Sequence, residues 1–365
     1  MMHLNTDQGA TEPPPERPFP PAPVPDEPYY RRGEQSRRWG VLLVLLGVVL
    51  LVFALSSRVP LFGIGFIERT ARIEAQSFAA ERVVLSGGSD KVELVGWNGD
   101  EVQVEAIKHG FGWSAGAANA ALAQLDVAVT PRGDTLFIEV RRPIGTVIGR
   151  APYADLRIAL PADVAVEASV LGGDIDAQAV AGDLTLRTVS GDIATRDTSG
   201  GLVLSTTSGD LEVRDHRGSV TAESVSGDMR LTGDLQDARV KTVSGDVRLD
   251  GATGRIEATS ISGDVYVAGS GLAALTLEST SGEIEAVIGL AEQASARISS
   301  ISGDVEVRLP RPVSLRLDVS TTSGDISTNL DGLTAERRSL RGSIGEGGAS
   351  LTISTGSGDV EVRGQ

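Results

Sequence analysis

Ser190-Gly191-Asp192, Ser208-Gly209-Asp210, Ser226-Gly227-Asp228, Ser244-Gly245-Asp246 and Ser262-Gly263-Asp264 repeat one phrase at a constant step of eighteen residues. The phrase continues more loosely at Ser281-Gly282-Glu283, Ser302-Gly303-Asp304, Ser323-Gly324-Asp325 and Ser357-Gly358-Asp359. A fixed short period is the signature of a repeat architecture, in which each unit buries its apolar face on its neighbours. After each phrase apolar residues alternate with polar ones: Leu211 and Val213 flank Glu212, Met229 and Leu231 flank Arg230, Val247 and Leu249 flank Arg248. That is the period of a strand with one face inward. A second apolar pair follows about nine residues on, as in Leu202 and Leu204, Val220 and Ala222, Ile256 and Ala258. Each eighteen-residue unit therefore predicts two short strands and two turns, and the fold class is all-β. The simplest arrangement is a parallel β-solenoid (β-helix) in which every strand pairs with its equivalent one rung away.

Two residues before each repeat serine stands a hydroxyl: Thr188, Thr206, Ser224, Thr242, Ser260, Ser279, Ser300, Thr321 and Thr355. This column shares the parity of the inward pairs, so it predicts small hydroxyls stacked inside a corner rather than nucleophiles. Gly191, Asp192, Gly209, Asp210, Gly227, Asp228, Gly245, Asp246, Gly263 and Asp264 read as structural turn residues. Glycine permits the tight corner, and aspartate suits the backbone N–H two residues on. The alternative for Asp210, Asp228, Asp246 and Asp264 is calcium, a hard cation that takes oxygen ligands. The nonapeptide calcium coil needs Gly and Asp in every nine residues, and the second nine here often has only one Gly, as at Gly254, and no Asp. No cofactor, metal or catalytic residue is assigned.

Composition narrows the function classes. The chain has 365 residues and a net charge of −16. Residues 1–58 hold six acidic residues and six arginines, so the whole excess lies in 59–365, and such an acidic surface excludes a nucleic-acid backbone as partner. Tyr266 is the one aromatic residue after Tyr153, so the repeat must build its core from Val, Leu, Ile and Ala. The chain has no cysteine, which removes disulfides, thiolate metal sites and thiol nucleophiles together. Arg141, Arg142 and Arg150 form a small basic cluster, read as a solvated loop, and His216 is read as a solvated turn residue.

The remaining segments follow in order. Residues 1–38 form a Pro-rich tail, with nine prolines between Pro13 and Pro28, expected to be disordered. Residues 39–57 run without a charge between Arg38 and Arg58, and reach roughly 28 Å as a helix, enough for one membrane span. Arg31, Arg32, Arg37 and Arg38 precede the span, which places the N-terminus in the cytoplasm and the rest outside. Ala54-Leu55-Ser56 leaves cleavage as a signal peptide open. Residues 58–80 read as a juxtamembrane linker, 81–170 as an irregular N-terminal β-solenoid or cap region, and 171–365 as the regular repeat. Ala117 to Ala123 reads as a short helix or a mobile excursion within the cap.

Asp155-Leu156-Arg157-Ile158-Ala159-Leu160-Pro161, followed by Val164 to Val166 and then the serial Ser-Gly-Asp phrases, resembles the bacterial putative-adhesin family of β-strand-repeat proteins. The resemblance covers roughly residues 80–363. It implies an all-β solenoid, often behind a membrane anchor or signal sequence, and it brings no catalytic residues. The Ala-rich insertion near 114–124 and the irregular step from Asp325 to Asp359 depart from the pattern.

The expectation is a non-enzymatic, membrane-anchored module of the bacterial envelope, acting in adhesion, scaffolding or sensing toward an unknown surface ligand. One alternative is a structural protein that self-associates end to end, because Leu351 to Val362 is as regular as any internal rung and could form an open end. The other is a polysaccharide-acting β-helix enzyme, which needs carboxylates clustered with basic residues and aromatics. The repeat region offers one lysine (Lys241), one histidine (His216) and one aromatic (Tyr266).

Overall fold

Inward-pointing pairs of Val, Leu, Ile and Ala stack from one eighteen-residue unit to the next, and this continuous apolar column organises the molecule. The computed structural model describes residues 67–142, 150–333 and 336–365, all within one unit. The tail at 1–38, the expected membrane span at 39–57 and the linker up to residue 66 lie outside the described residues. Among the described residues no helix is long and apolar enough to cross a membrane.

Among the described residues the fold is all-β with one short helix, and its sheet is mixed. Through the repeat, neighbouring units pair in parallel at the period of the sequence: Leu184 with Leu202, Leu202 with Val220, Leu211 with Met229, and Met229 with Val247. Each unit contributes to two layers. One layer runs through β8 (Ala165–Ser169), β10 (Leu184–Arg187), β12 (Ser199–Ser208) and the second halves of β13 (Leu211–Ser226), β14 (Met229–Ser244), β15 (Val247–Ser262), β16 (Val265–Ser281) and β17 (Ile284–Ser302). The other runs through β9 (Ile175–Gln178), β11 (Ile193–Arg196) and the first halves of β13 to β17. Their inner faces meet in a core without large rings; Leu204, Val213, Leu231, Val240, Leu249 and Ile298 are fully buried in it.

Both ends depart from one-rung-at-a-time pairing. At the N-terminal end β2 (Arg82–Ser86) lies between β6 (Thr135–Arg141) and β8, and β3 (Lys91–Gly96) lies between β7 (Tyr153–Leu160) and β9. The first rung in the chain is thus not the outermost one. Antiparallel strands close this end: β5 (Asp126–Arg132) on β6, β4 (Val102–Gly112) on β7, and β1 (Ile67–Phe78) on β4. The Ala-rich segment forms helix α1 (Ala115–Gln124), whose N-cap Ser114 accepts from the Ala117 N–H at 3.2 Å.

The C-terminal end repeats the device. β22 (Ala349–Ser357) and β23 (Val360–Gly364) insert between the rung of β17 and β18 (Val305–Leu309) and the rung of β19 (Leu315–Ser323) and β20 (Ile326–Thr328). β21 (Ser339–Ile344) then covers β19 antiparallel. Leu351 to Val362 is therefore an interior rung, which corrects its reading as an open end. It is regular because it has neighbours on both sides. Unpaired strand edges are what proteins shorten or cover, and here β20 spans only three residues.

Candidate functional site: the aspartate ladder and the outer face beside it

Each Ser-Gly-Asp phrase turns the chain from one layer to the other, and each of its residues has a separate role. The serine carbonyl accepts from the glycine N–H of the preceding rung, as in Gly227 to Ser244 at 3.1 Å and Gly245 to Ser262 at 3.1 Å. Glycine is required by conformation and by space. Gly245 has φ of +150°, and a Cβ there would stand 2.2 Å from the Gly227 carbonyl oxygen. The aspartate carboxylate accepts from the backbone N–H of its counterpart in the next rung. Asp192 receives Asp210 at 2.8 Å, Asp210 receives Asp228 at 2.9 Å, Asp228 receives Asp246 at 3.0 Å, and Asp246 receives Asp264 at 2.9 Å. The carboxylate partner is thus one rung away, not two residues on as the local turn pattern suggests. Strand spacing brings the next rung's N–H directly over the carboxylate, and this contact wins.

The series continues to Glu283, whose N–H donates to Asp264 at 2.8 Å, and resumes at Asp304, which accepts from the Asp359 N–H. Burial, then repulsion from Asp264 and Asp304, raises the pKa of Glu283 above its ordinary value. Inside the corner the hydroxyl column is buried, as the parity predicts. Thr188 donates to the Gly173 carbonyl at 3.1 Å and Thr206 to the Gly191 carbonyl at 3.4 Å.

The ladder places one carboxylate oxygen of Asp192, Asp210, Asp228, Asp246, Asp264, Asp304 and Asp359 on a backbone N–H. Asp210, Asp228, Asp246 and Asp264 thus share a line, and no group of three or more acidic or histidine side chains among the described residues converges as a metal site. Beside the ladder Arg230, Arg248, Tyr266 and Glu285 occupy equivalent outward positions in successive rungs. With Asp228, Asp246, Asp264 and Glu283 they line a groove of about 260 Å³. The Arg248 guanidinium lies 3.9 Å from the centre of the Tyr266 ring and bonds Asp250 at 2.8 Å, so the ring is held flat by a cation–π contact. The groove therefore offers fixed positive, aromatic and acidic groups at rung spacing.

Three arrangements outside this face escaped the sequence reading. Arg142 is not solvated: it pairs with fully buried Asp90, which also accepts from the Ala154 N–H at 2.8 Å and the Gly88 N–H at 2.7 Å. Arg141 pairs with Glu139, and Arg150 stacks over Phe111 and Tyr153. His216 is likewise not solvated; it is 1% exposed and its Nδ1 lies 3.0 Å from the Thr198 hydroxyl. Finally, His109 faces Glu68 at 2.7 Å and Asp155 at 3.0 Å while stacking on Tyr153. Glu68, His109 and Asp155 come from β1, β4 and β7, so only the antiparallel cap brings them together. No local motif announces them.

The repeat geometry has a counterpart among known sequences. The model of the family described as Toastrack DUF4097 matches residues 98–312 and 290–363. The chain belongs to the Toastrack DUF4097 family. The match takes in most of the residues on which the adhesin-family resemblance was drawn. A comparison with curated proteins finds no match. Solved structures similar to this Toastrack chain include a putative lipid binding protein from Parabacteroides distasonis, at 10% identity and TM-score 0.38, covering 81% of this chain and 96% of that one. A putative adhesin from Bacteroides fragilis matches at 12% identity and TM-score 0.29, covering 82% and 97%. A putative cell adhesion protein from Clostridium sporogenes matches at 12% identity and TM-score 0.24, covering 82% and 100%.

Proposed function

We propose that this chain is a non-enzymatic, membrane-anchored β-solenoid of the bacterial envelope, and that it engages a surface partner through the groove beside its aspartate ladder. The observation that carries this reading is the alignment of Arg230, Arg248 and Tyr266 in consecutive rungs, next to acidic groups fixed by backbone hydrogen bonds. A rigid array of this kind loses little side-chain freedom on binding, which favours recognition. Parallel pairing at the sequence period supports the solenoid architecture. The uncharged run at 39–57, with four arginines before it at 31–38, supports a single-pass anchor with the repeat outside the cell. Adhesion, scaffolding and sensing all use such a surface.

Two measurements test the reading on the full chain. Because the chain has no cysteine, a single Asn98→Cys variant in the exposed turn after β3 reports topology: a membrane-impermeant maleimide labels it on intact cells, whereas Ser36→Cys stays unlabelled. Labelling of Ser36→Cys instead would overturn the orientation. Binding of the purified chain to isolated envelope polymer should fall at least tenfold with Arg248→Ala or Tyr266→Ala. It should be unchanged with Arg239→Ala, which lies on the other layer. Equal loss in all three variants would remove the groove as the site.

A further inference from the structure

The layer opposite the groove carries a different surface. Six of the eight positions of its outermost column are exposed apolar residues, Leu171 at 64%, Val189 at 45%, Val225 at 45%, Val243 at 41%, Ile261 at 50% and Ile301 at 64%, with Thr207 and Thr280 at the other two. Exposed apolar residues stacked at one position of successive rungs make a ridge rather than scattered single residues. The charges beside the ridge are nearly balanced, unlike those of the whole chain. Glu167, Asp183, Glu223, Asp237, Glu257 and Glu278 stand against Arg187, Arg239, Lys241, Arg255 and Arg297.

The order of these residues is self-complementary. The column next to the ridge reads Ser169, Arg187, Ser205, Glu223, then Lys241, Thr259, Glu278, Ser299, in hydrogen-bonded register. Reversed about the step between Glu223 and Lys241, Glu223 meets Lys241, Ser205 meets Thr259, and Arg187 meets Glu278. In the next column Glu167 meets Arg297, Thr185 meets Thr276, Val203 meets Glu257 and Thr221 meets Arg239. The column beyond it sets Asp237 against Ser219, Arg255 against Gly201 and Asp183 against Ala274. No like charges oppose each other in any column. Shifting the reversal by one rung sets Arg187 against Lys241, or Glu223 against Glu278. The step also lies at the middle of the layer, with β5, β6, β2, β8, β10, β12 and β13 on one side and β14, β15, β16, β17, β22, β19 and β21 on the other.

We infer that this face binds a second copy of the chain. The two copies pack face to face with their rungs running in opposite directions, about a two-fold axis that lies along the strands between Glu223 and Lys241. Under that axis the ridge meets itself: Val225 against Val243, Thr207 against Ile261, Val189 against Thr280 and Leu171 against Ile301. A two-fold interface demands such self-complementarity. Eight rungs at about 4.8 Å and eight residues at about 3.3 Å give a patch of roughly 1,000 Å² a side, above the ~800 Å² per partner of a standard stable interface.

The cysteine-free chain allows a position-specific test on the full-length protein. Spin labels on single-cysteine variants report the distance between copies. Opposed sheets about 10 Å apart put Val225→Cys about 11 Å from its mate, Thr207→Cys about 17 Å and Leu171→Cys about 35 Å. Mixing Leu171→Cys with Ile301→Cys chains gives a short distance of about 10 Å. Equal distances at every position, or no intermolecular distance at all, would overturn the arrangement. Glu278→Lys sets like charges against Arg187 of the second copy, five rungs away within its own chain, and should weaken dimerisation about tenfold, with an unchanged melting curve for the monomer. Arg187→Glu/Glu278→Lys should restore it. Failure of the double variant to restore dimers that the single variant lost would also count against the proposed axis.

Discussion

The backbone N–H of Asp359 donates to Oδ1 of Asp304 at 2.7 Å across 55 residues, and Asp359 in turn accepts from the Asp325 N–H at 2.8 Å. The ladder thus runs 304, 359, 325. It follows spatial order and inverts chain order at the C-terminal end.

This inversion makes the last residues of the chain an internal part of the stack. Deleting residues 349–365 would remove the strands that hold β19 and β20 to the rest. Hydrogen exchange should then show residues 315–344 losing protection together while residues 184–262 keep theirs. If the deletion merely shortened an open end, protection at 315–344 would persist.

Glu283 is the one long carboxylate in the ladder. A Glu283→Asp chain places the carboxylate where its neighbours have theirs and should gain about 0.5–1 kcal/mol, read as a small rise in melting temperature. The pH dependence has a definite sign. Because the pKa of Glu283 is raised above 4.5 in the fold, the folded state holds this proton more tightly than the unfolded chain does. Its favourable contribution is full below pH 4.5 and is lost as pH rises through the raised value. Glu283→Gln should therefore gain stability relative to the parent across that rise, measured by melting at a series of pH values.

Asp90 and Arg142 tie the Gly87–Asp90 turn to the chain around Ala154. Replacing either residue by Ala should cost about 3 kcal/mol, since it leaves the other charge poorly compensated. Asp90→Ala/Arg142→Ala should cost clearly less than the sum of the two. Additive losses in denaturant unfolding would mean that the pair is not coupled.

His216 gives an acid-side signature. Burial lowers its pKa below 6.5, so the ring is favoured neutral in the fold. The stability this provides is full above pH 6.5 and is lost as pH falls from there through the folded value. His216→Gln should flatten that part of the stability profile. An unchanged slope would mean that the ring is as solvated as in the unfolded chain.

The eighteen-residue period, the two strands per unit and the buried hydroxyl column were all legible before the structure, because each depends on alternation within a few residues. The glycines of the turn were legible for the same reason. The rung insertions were not. Leu351 to Val362 has the pattern of any rung, and local pattern carries no record of which neighbours a strand chooses. Asp90, His109 and His216 were misread or passed over because their partners lie far away in sequence, at Arg142, at Glu68 and Asp155, and at Thr198. The residues of the groove, Arg230, Arg248 and Tyr266, were visible as outward positions. Their shared face follows from the register, but the Arg248–Tyr266 stack needed coordinates.

The central claim is that the aspartates of the repeat bind backbone N–H groups rather than a metal ion. The most direct measurement is the thermal midpoint of the full chain and of an Asp210→Asn/Asp228→Asn/Asp246→Asn/Asp264→Asn variant, each with and without calcium. Asn keeps the accepting oxygen and removes the charge, so the variant should melt within a few degrees of the parent, and calcium should move neither. A saturable rise in the parent's midpoint with calcium, absent from the variant, would contradict the account.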